Sequence, residues 1–245
     1  MRPVQPGLAG AERLWGVDAA RGLAVAMMLL SNLLFDLALF LGCGWCYQGF
    51  WLLFARATAG LFILLAGVSL ALSYSRVKDQ PPRRIWRKYL ARGGRIFLYG
   101  MALTGITLAL VPQGPILFGI LHLIGLSIVL GVPFLGRPVA GGAAGILILL
   151  VGLLLTGPGN PWLLWLVPWA GFFSVDYTPL LPWFGIFLIG MSFGSFLRPA
   201  GAGERSPGSL RPLTALGRRS LLIYFAHQPV FLGLISLWLG RIPLG

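Results

Sequence analysis

The chain has 245 residues, of which 57% are hydrophobic and only 10% are charged, and its mean hydropathy is +0.85. This composition excludes a water-soluble domain, because too few polar side chains are present to cover a globule of this size. The formal net charge of +13 does not indicate nucleic-acid binding, since the basic residues lie in alternate loops rather than over one soluble face. Lipid is therefore the expected solvent for most of the chain.

Windows of about 20 apolar residues predict an all-α integral membrane protein with about seven transmembrane helices. The helices are expected near residues 17–41, 50–75, 94–111, 116–134, 141–156, 178–197 and 218–239. An additional apolar run at 162–173 contains Pro168 and is expected to form a re-entrant or interfacial segment. No internal repeat or interdomain linker is found, so residues 1–245 are expected to form a single transmembrane domain.

The distribution of Lys and Arg predicts the orientation of these helices, because cytoplasmic loops collect positive charge. The connections after the second and sixth predicted helices carry most of it: Arg76, Lys78, Arg83, Arg84, Arg87, Lys88, Arg92, Arg95, Arg198, Arg205, Arg211, Arg218 and Arg219. The connections 42–48, 111–115 and 157–177 contain no Lys or Arg and are expected outside. The protein is thus predicted to be a multi-pass protein of the inner cell membrane with a cytoplasmic N-terminus. Seven spans would place Arg241 and the C-terminus outside.

Ionisable side chains within the spans are the candidate functional residues, because each is costly in lipid unless it faces a partner or a wet cavity. Asp18 and Arg21 lie three residues apart at the inner end of the first helix, where they either anchor the helix end as a pair or face a ligand. Asn32 and Asp36 lie four residues apart and project toward one side of the same helix. Asp36 either forms a salt bridge with Arg56 or lines a polar pocket that opens outward.

The two histidines of the chain, His122 and His227, lie inside the fourth and seventh predicted helices. Each either forms a hydrogen bond between helices or serves as a general base. Histidines and carboxylates do not show the spacing of metal ligands, so no metal is expected. Cys43 and Cys46 form a C-x-x-C motif on the expected outer face, which allows a disulfide or a redox role.

Several segments resemble the heparan-alpha-glucosaminide N-acetyltransferases, a family of multispan membrane acyltransferases with bacterial members. The similar segments are 17–24 (VDAARGLA), 34–37 (LFDL), 65–69 (LAGVS), 118–125 (FGILHLIG), 176–185 (DYTPLLPWFG) and 217–229 (GRRSLLIYFAHQP). The resemblance implies an enzyme that moves an acetyl group from cytoplasmic acetyl-CoA to an amino sugar or a related glycan or lipid-linked acceptor.

The resemblance also implies roles for individual residues. The connection 42–50 lacks a histidine where the family's characterised enzyme has one, so His122 is expected to be the general base, with Asp36 or Asp176 orienting it. Asn32 is expected to stabilise the oxyanion, and Arg56 to contact the acceptor. The residues expected to contact the coenzyme, whose phosphates basic groups attract, are Asp18, Arg21, Arg219, His227 and Gln228.

Two alternatives remain open at the level of the sequence. The first is a non-catalytic transporter or scaffold that uses the same polar cavity, which would bind a ligand without acyl transfer. The second is redox chemistry at Cys43 and Cys46, although the chain has no third cysteine to pass electrons onward. The expected partners are membrane lipids, acyl-CoA and a sugar-like acceptor, without nucleic acid, and a homodimer is compatible with the sequence.

Overall fold

The computed structural model describes residues 14–111, 114–155, 160–169, 171–197 and 207–240. Within these ranges the protein consists of helices and connections, without strands. The α-helices are α1 (Trp15–Leu41), α2 (Gly49–Ser75), α3 (Pro82–Leu110), α4 (Ile120–Gly131), α5 (Pro138–Leu154), α6 (Leu180–Phe196), α7 (Arg211–Arg218) and α8 (Ser220–Leu239). Short 3₁₀ helices lie at Val132–Phe134, Pro161–Leu163 and Gly208–Leu210. The predicted loop residues Arg198 and Arg205, and Arg241 near the C-terminus, lie outside the described residues.

Four of these helices, α1, α2, α3 and α8, are long and apolar enough to cross a membrane. The helices α4, α5 and α6 are also apolar but have 12, 17 and 17 residues. At a rise of about 1.5 Å per residue, α4 extends about 18 Å, which is less than the roughly 30 Å of a hydrocarbon core. The all-helical, multi-pass character of the protein agrees with the sequence analysis, and the count of seven crossings stays a prediction.

The helix α3 begins at Pro82, twelve residues before the start predicted from hydropathy. Proline is suited to the first turn of a helix because its missing N–H has no intrahelical partner there. The following basic residues have good helix propensity, so the helix continues beyond the apolar segment. The basic connection predicted as a loop is therefore largely helical.

The fourth predicted span, 116–134, contains an α-helix only from Ile120 onward. Before it, the segment 114–119 runs beside the segment 174–178. The backbone N–H of Val175 donates to the carbonyl oxygen of Gly114 at 3.1 Å, and the N–H of Thr178 donates to that of Phe118 at 2.9 Å. Because backbone groups at membrane depth must find partners inside the protein, this pairing allows α4 to begin beside the middle of α3.

The apolar run at 162–173 forms a 3₁₀ helix at Pro161–Leu163 followed by irregular turns. This segment packs against the start of α6, where the backbone N–H of Leu180 donates to the carbonyl oxygen of Trp165 at 2.8 Å. The hydroxyl oxygen of Tyr177 lies 3.0 Å from the carbonyl oxygen of Leu164 and holds the turns from the other side. Its re-entrant or interfacial position in the membrane stays a prediction.

The residues before the last span form a helix of their own, α7, where the sequence predicted a loop. Gly217 of α7 lies directly against the backbone carbonyl of Asp18 in α1, and a β-carbon at this position would collide with that carbonyl. Gly22 of α1 is packed in the same way against the backbone of Leu213. Small residues let helix backbones approach closely in membranes, so α7 is held against the N-terminal half of α1.

Candidate functional site

Four polar side chains meet at the N-terminal end of α1, and we call them the inner charge cluster: Asp18, Arg21, Ser69 and Arg218. Arg21 donates to the Asp18 carboxylate at 2.9 Å and to the Ser69 hydroxyl at 2.5 Å. The Nε atom of Arg218 lies 3.5 Å from the second Asp18 oxygen. Asp18 is only 5% exposed, so the two guanidinium groups balance a buried carboxylate.

A second group of polar residues lies between α1 and α8, and we call it the α1–α8 polar cluster: Asn32, Asp36, His227 and Gln228. The side-chain amide nitrogen of Asn32 lies 2.7 Å from Nε2 of His227. The amide nitrogen of Gln228 donates to both oxygens of the Asp36 carboxylate, at 2.8 and 3.0 Å. Asp36 is 1% exposed and His227 is 8% exposed, so both hydrogen-bonded pairs are shielded from solvent.

The hydrogen bonds of His227 indicate which ring nitrogen carries the proton. Nδ1 lies 2.7 Å from the backbone carbonyl oxygen of Tyr224, and a carbonyl can only accept a hydrogen bond. Nδ1 is therefore assigned the proton, and Nε2 keeps a lone pair that accepts from the Asn32 amide. The basic nitrogen of His227 thus faces a side chain that can rotate away.

Asp36 does not form the salt bridge with Arg56 that was one of its two predicted arrangements. Gln228 holds the carboxylate instead, while Arg56 is exposed on α2. Arg56 acts electrostatically on Tyr47: burial raises the pKa of Tyr47, and the Arg56 guanidinium acts in the opposite direction.

The connection that carries Tyr47 covers the C-terminal end of α1. A disulfide joins Cys43 and Cys46, whose Cα atoms are 5.5 Å apart, and Cys46 is buried. The Tyr47 ring packs edge-on against Phe35 at a centroid distance of 4.9 Å. The disulfide that the sequence allowed is present. It fixes the turn before Tyr47, whose ring contacts Phe35, the residue before Asp36.

A third group surrounds Asp176, in the connection between α5 and α6, and we call it the Asp176 cluster: Asp176, Thr178, Tyr224 and the backbone N–H of Ile120. The carboxylate accepts from the Ile120 N–H and from the Thr178 hydroxyl, each at 2.9 Å, and also from the Tyr224 hydroxyl. Burial raises the pKa of Asp176, and these three hydrogen bonds act in the opposite direction. Ile120 is the first residue of α4, so the carboxylate satisfies an N–H group at the positive end of that helix.

His122 is 1% exposed and has a partner at each ring nitrogen. Nδ1 accepts from the backbone N–H of Gly119 at 3.2 Å, and Nε2 lies 3.3 Å from the Thr104 hydroxyl oxygen. The Phe97 and Phe118 rings enclose the imidazole at centroid distances of 5.2 and 5.5 Å. The lone pair of His122 is therefore used to cap the N-terminus of α4.

The structure brings together some of the predicted site residues and separates others. It pairs Asp18 with Arg21, Asn32 with His227, and Asp36 with Gln228. It gives His122 neither of the carboxylates expected to orient it, because Gln228 holds Asp36 and the start of α4 holds Asp176. At the inner charge cluster the second arginine that contacts Asp18, beside Arg21, is Arg218 and not the predicted Arg219.

Sequence reasoning missed Tyr224, which connects two of the clusters. Its hydroxyl bonds to Asp176, and its backbone carbonyl accepts from Nδ1 of His227. Tyr224 lies three residues before His227, and this spacing places the two side chains on one face of a helix. A search for polar residues one turn from each histidine would have found it.

Apolar helices long enough to cross a membrane, with buried polar clusters between them, define a polytopic membrane protein with an internal polar site. The family model described as heparan-alpha-glucosaminide N-acetyltransferase, catalytic, matches residues 13–229. The chain therefore belongs to this family of membrane acetyltransferases, as the resemblance of its sequence implied, and the match includes every residue of the three clusters. Comparisons with curated proteins and with solved structures found no match.

Proposed function

We propose that this protein is a membrane-embedded acyltransferase that moves the acetyl group of cytoplasmic acetyl-CoA to an amino sugar or a related glycan or lipid-linked acceptor. Membership of the acetyltransferase family supports the reaction class. The observation that carries the proposal is the α1–α8 polar cluster, where a histidine lone pair, an amide donor and a buried carboxylate come together.

In this proposal His227 is the general base, rather than the His122 expected from the sequence. The lone pair of His227 is held by the Asn32 side chain, which an entering acceptor can displace. The lone pair of His122 is held by the backbone of Gly119, and protonation there would cost the N-terminal hydrogen bond of α4. His122 therefore acts as a positioning residue for the α4 end of the site.

His227 takes a proton at Nε2 from the acceptor amine or hydroxyl as that group attacks the thioester carbonyl. The displaced Asn32 amide donates to the carbonyl oxygen, which becomes negative as the new C–N or C–O bond forms. Asp36 lies one helical turn from Asn32, and its negative charge favours the protonated, positively charged His227. The C–S bond then breaks, and His227 returns the proton to the coenzyme A sulfur.

The inner charge cluster is proposed to bind the phosphates of the coenzyme. Arg21, Arg218 and Arg219 lie near the predicted cytoplasmic end of α1, and Arg21 and Arg218 are partly exposed although they pair with Asp18. From Arg21 to Asn32 the rise along α1 is about 16 Å, at about 1.5 Å per residue. An extended pantetheine arm can cover that distance, so the thioester would reach His227 and Gln228.

The acceptor is proposed to enter from the opposite end of α1. Arg56 and Tyr47 lie on that side, and the charge of Asp176 is also close enough to act on Tyr47. An exposed guanidinium, a phenol and a carboxylate offer donors and acceptors that suit the hydroxyl and amino groups of a sugar.

The proposal is tested by the thermal stability of the detergent-purified protein with acetyl-CoA, with dephospho-CoA as the control for phosphate contacts. A ligand that binds the folded state raises the melting temperature by mass action. We expect a dose-dependent rise that is smaller without the 3′-phosphate, followed by acceptor-dependent release of the coenzyme A thiol. Absence of any shift at millimolar acetyl-CoA would contradict the proposal and favour the transporter or scaffold interpretation.

A further inference from the structure

The N-terminal part of α3 is longer than a membrane crossing requires. The helix has 29 residues and extends about 43 Å at 1.5 Å per residue, against roughly 30 Å for the hydrocarbon core. The surplus corresponds to about nine residues. Basic residues are concentrated at this end, which we call the basic end of α3 and define as residues 83–95.

One face of the basic end packs against the protein. Ile85 and Tyr89 are buried, and the Tyr89 hydroxyl donates to the Ser73 hydroxyl of α2 at 3.3 Å. Gly93 continues this face and lies against the backbone of Gly125 in α4. These contacts fix the rotation of the helix about its axis.

The basic end carries five exposed cations. At about 100° per residue, four of them fall on an arc that faces away from the buried residues: Arg83, Arg84, Arg87 and Arg95. Lys88 lies at the edge of this arc, with its Nζ atom 5.2 Å from the centroid of the Tyr89 ring. Two apolar side chains one turn apart, Trp86 and Leu90, border one edge of this arc and are 40% and 45% exposed. Tryptophan beside arginine and lysine is typical of the boundary between headgroups and hydrocarbon.

None of these five cations forms a salt bridge within the part of the chain that the structure describes. The salt bridges there belong to Asp18 at the inner charge cluster, and Asp36 and Asp176 are held by hydrogen bonds elsewhere. The chain has only six acidic residues against nineteen basic ones. The counter-ions of the basic end are therefore expected to come from outside the protein.

We propose that the basic end of α3 binds the phosphates of anionic phospholipids in the adjacent leaflet. The outward arc faces away from α2 and α4, against which the helix packs, so it meets bilayer lipids rather than a cavity of the protein. Guanidinium groups match phosphate geometry through paired hydrogen bonds, and Trp86 and Leu90 lie at the boundary between the headgroups and the acyl chains. This proposal does not depend on the proposed acetyl transfer.

The test uses the full chain reconstituted in phosphatidylcholine bilayers that contain a small fraction of brominated lipid, which quenches nearby tryptophans. The contribution of Trp86 is taken as the difference between the wild type and Trp86→Phe, since the chain has nine tryptophans. Brominated phosphatidylglycerol should quench Trp86 about threefold more than brominated phosphatidylcholine at equal content, because basic side chains near the surface attract anionic lipid. High salt should reduce this preference.

The variants Arg83→Gln/Arg84→Gln/Arg87→Gln and Arg83→Lys/Arg84→Lys/Arg87→Lys separate charge from structure. Because these side chains are exposed, both variants should melt like the wild type in phosphatidylcholine. The Gln variant should lose the preference for phosphatidylglycerol and the Lys variant should keep most of it. An unchanged preference in the Gln variant would overturn the proposal, as would its elimination by millimolar inorganic phosphate at constant ionic strength, which would identify free phosphate as the ligand.

Discussion

His227 and His122 differ in the group that occupies the lone pair of the imidazole. At His227 the partner is the side chain of Asn32, and at His122 it is the backbone of Gly119. A side-chain partner can exchange for a substrate by rotation about its own bonds, whereas a backbone partner at a helix N-terminus is fixed by the helix. The two buried histidines therefore differ in whether a substrate can replace the group that occupies the imidazole lone pair.

The variants His227→Gln and His122→Gln should separate these roles. We expect His227→Gln to lower acceptor-dependent thiol release by about 10²–10⁴-fold, the usual contribution of a general base, while stabilisation by acetyl-CoA persists. His122→Gln should lower the melting temperature, because it disturbs the cap of α4, but change turnover per folded molecule by less than about tenfold. The opposite pattern would assign the base to His122.

The sequence predicts one half of the α1–α8 polar cluster and not the other. Asn32 and Asp36 lie four residues apart, so helical geometry alone places them on one side of α1. Their partners, His227 and Gln228, are more than 190 residues away in the chain, and no local pattern specifies which helix packs against α1. Arg56 was an equally reasonable partner for Asp36 on charge, and the exposed position of its side chain on α2 decided against it.

Helix–helix contact in this protein depends on glycines at specific turns, and α3 offers a matched pair to test this. A β-carbon at Gly93 would lie 2.6 Å from the carbonyl oxygen of Gly125 in α4, whereas one at Gly94 would meet nothing within 4 Å. Gly93→Ala should therefore separate α3 from α4 and cost about 1–3 kcal/mol. Gly94→Ala should be neutral or stabilise by up to about 1 kcal/mol, because alanine favours the helix.

Melting temperatures of the two variants in one detergent, with folded fraction and retained secondary structure as controls, measure this difference. Both variants add the same methyl group to neighbouring residues of one helix, so differences in expression or propensity cancel. Equal melting temperatures would show that the close approach of α3 to Gly125 does not limit stability.

Hydropathy predicts the apolar helices of this chain better than it predicts the polar helical segments. It places α1, α2 and α8 within two residues of their observed bounds at every end. It misses the first twelve residues of α3, because a helical segment rich in basic residues has no apolar signal. It overextends α4, because the segment before Ile120 is apolar but forms a non-helical connection that accepts backbone hydrogen bonds from Val175 and Thr178. α7 is missed because it has only eight residues and is polar on one side.

At the scale of the whole molecule, the proposed reaction has one direction, which rests on the charge asymmetry of the connections and on the positions of the clusters. The connections that carry positive charge adjoin the inner charge cluster, and those without Lys or Arg adjoin Tyr47 and the Asp176 cluster. Donor and acceptor would therefore approach the α1–α8 polar cluster from opposite faces of the membrane. This arrangement requires that the two ends of α1 lie in different compartments.

The orientation is tested with single cysteines in a Cys43→Ser/Cys46→Ser background and a membrane-impermeant maleimide on intact cells. Lys78 and Trp162 are both exposed, in connections of opposite predicted side. Because positive loops stay in the cytoplasm, Trp162→Cys should label from outside and Lys78→Cys only after permeabilisation.

A cysteine appended after Gly245 should label from outside if the number of crossings is odd, as seven spans require, and from inside if one of the short helices α4, α5 or α6 does not cross. Labelling of Lys78→Cys on intact cells would contradict the predicted orientation, because it would place the inner charge cluster, with its proposed coenzyme site, outside the cytoplasm.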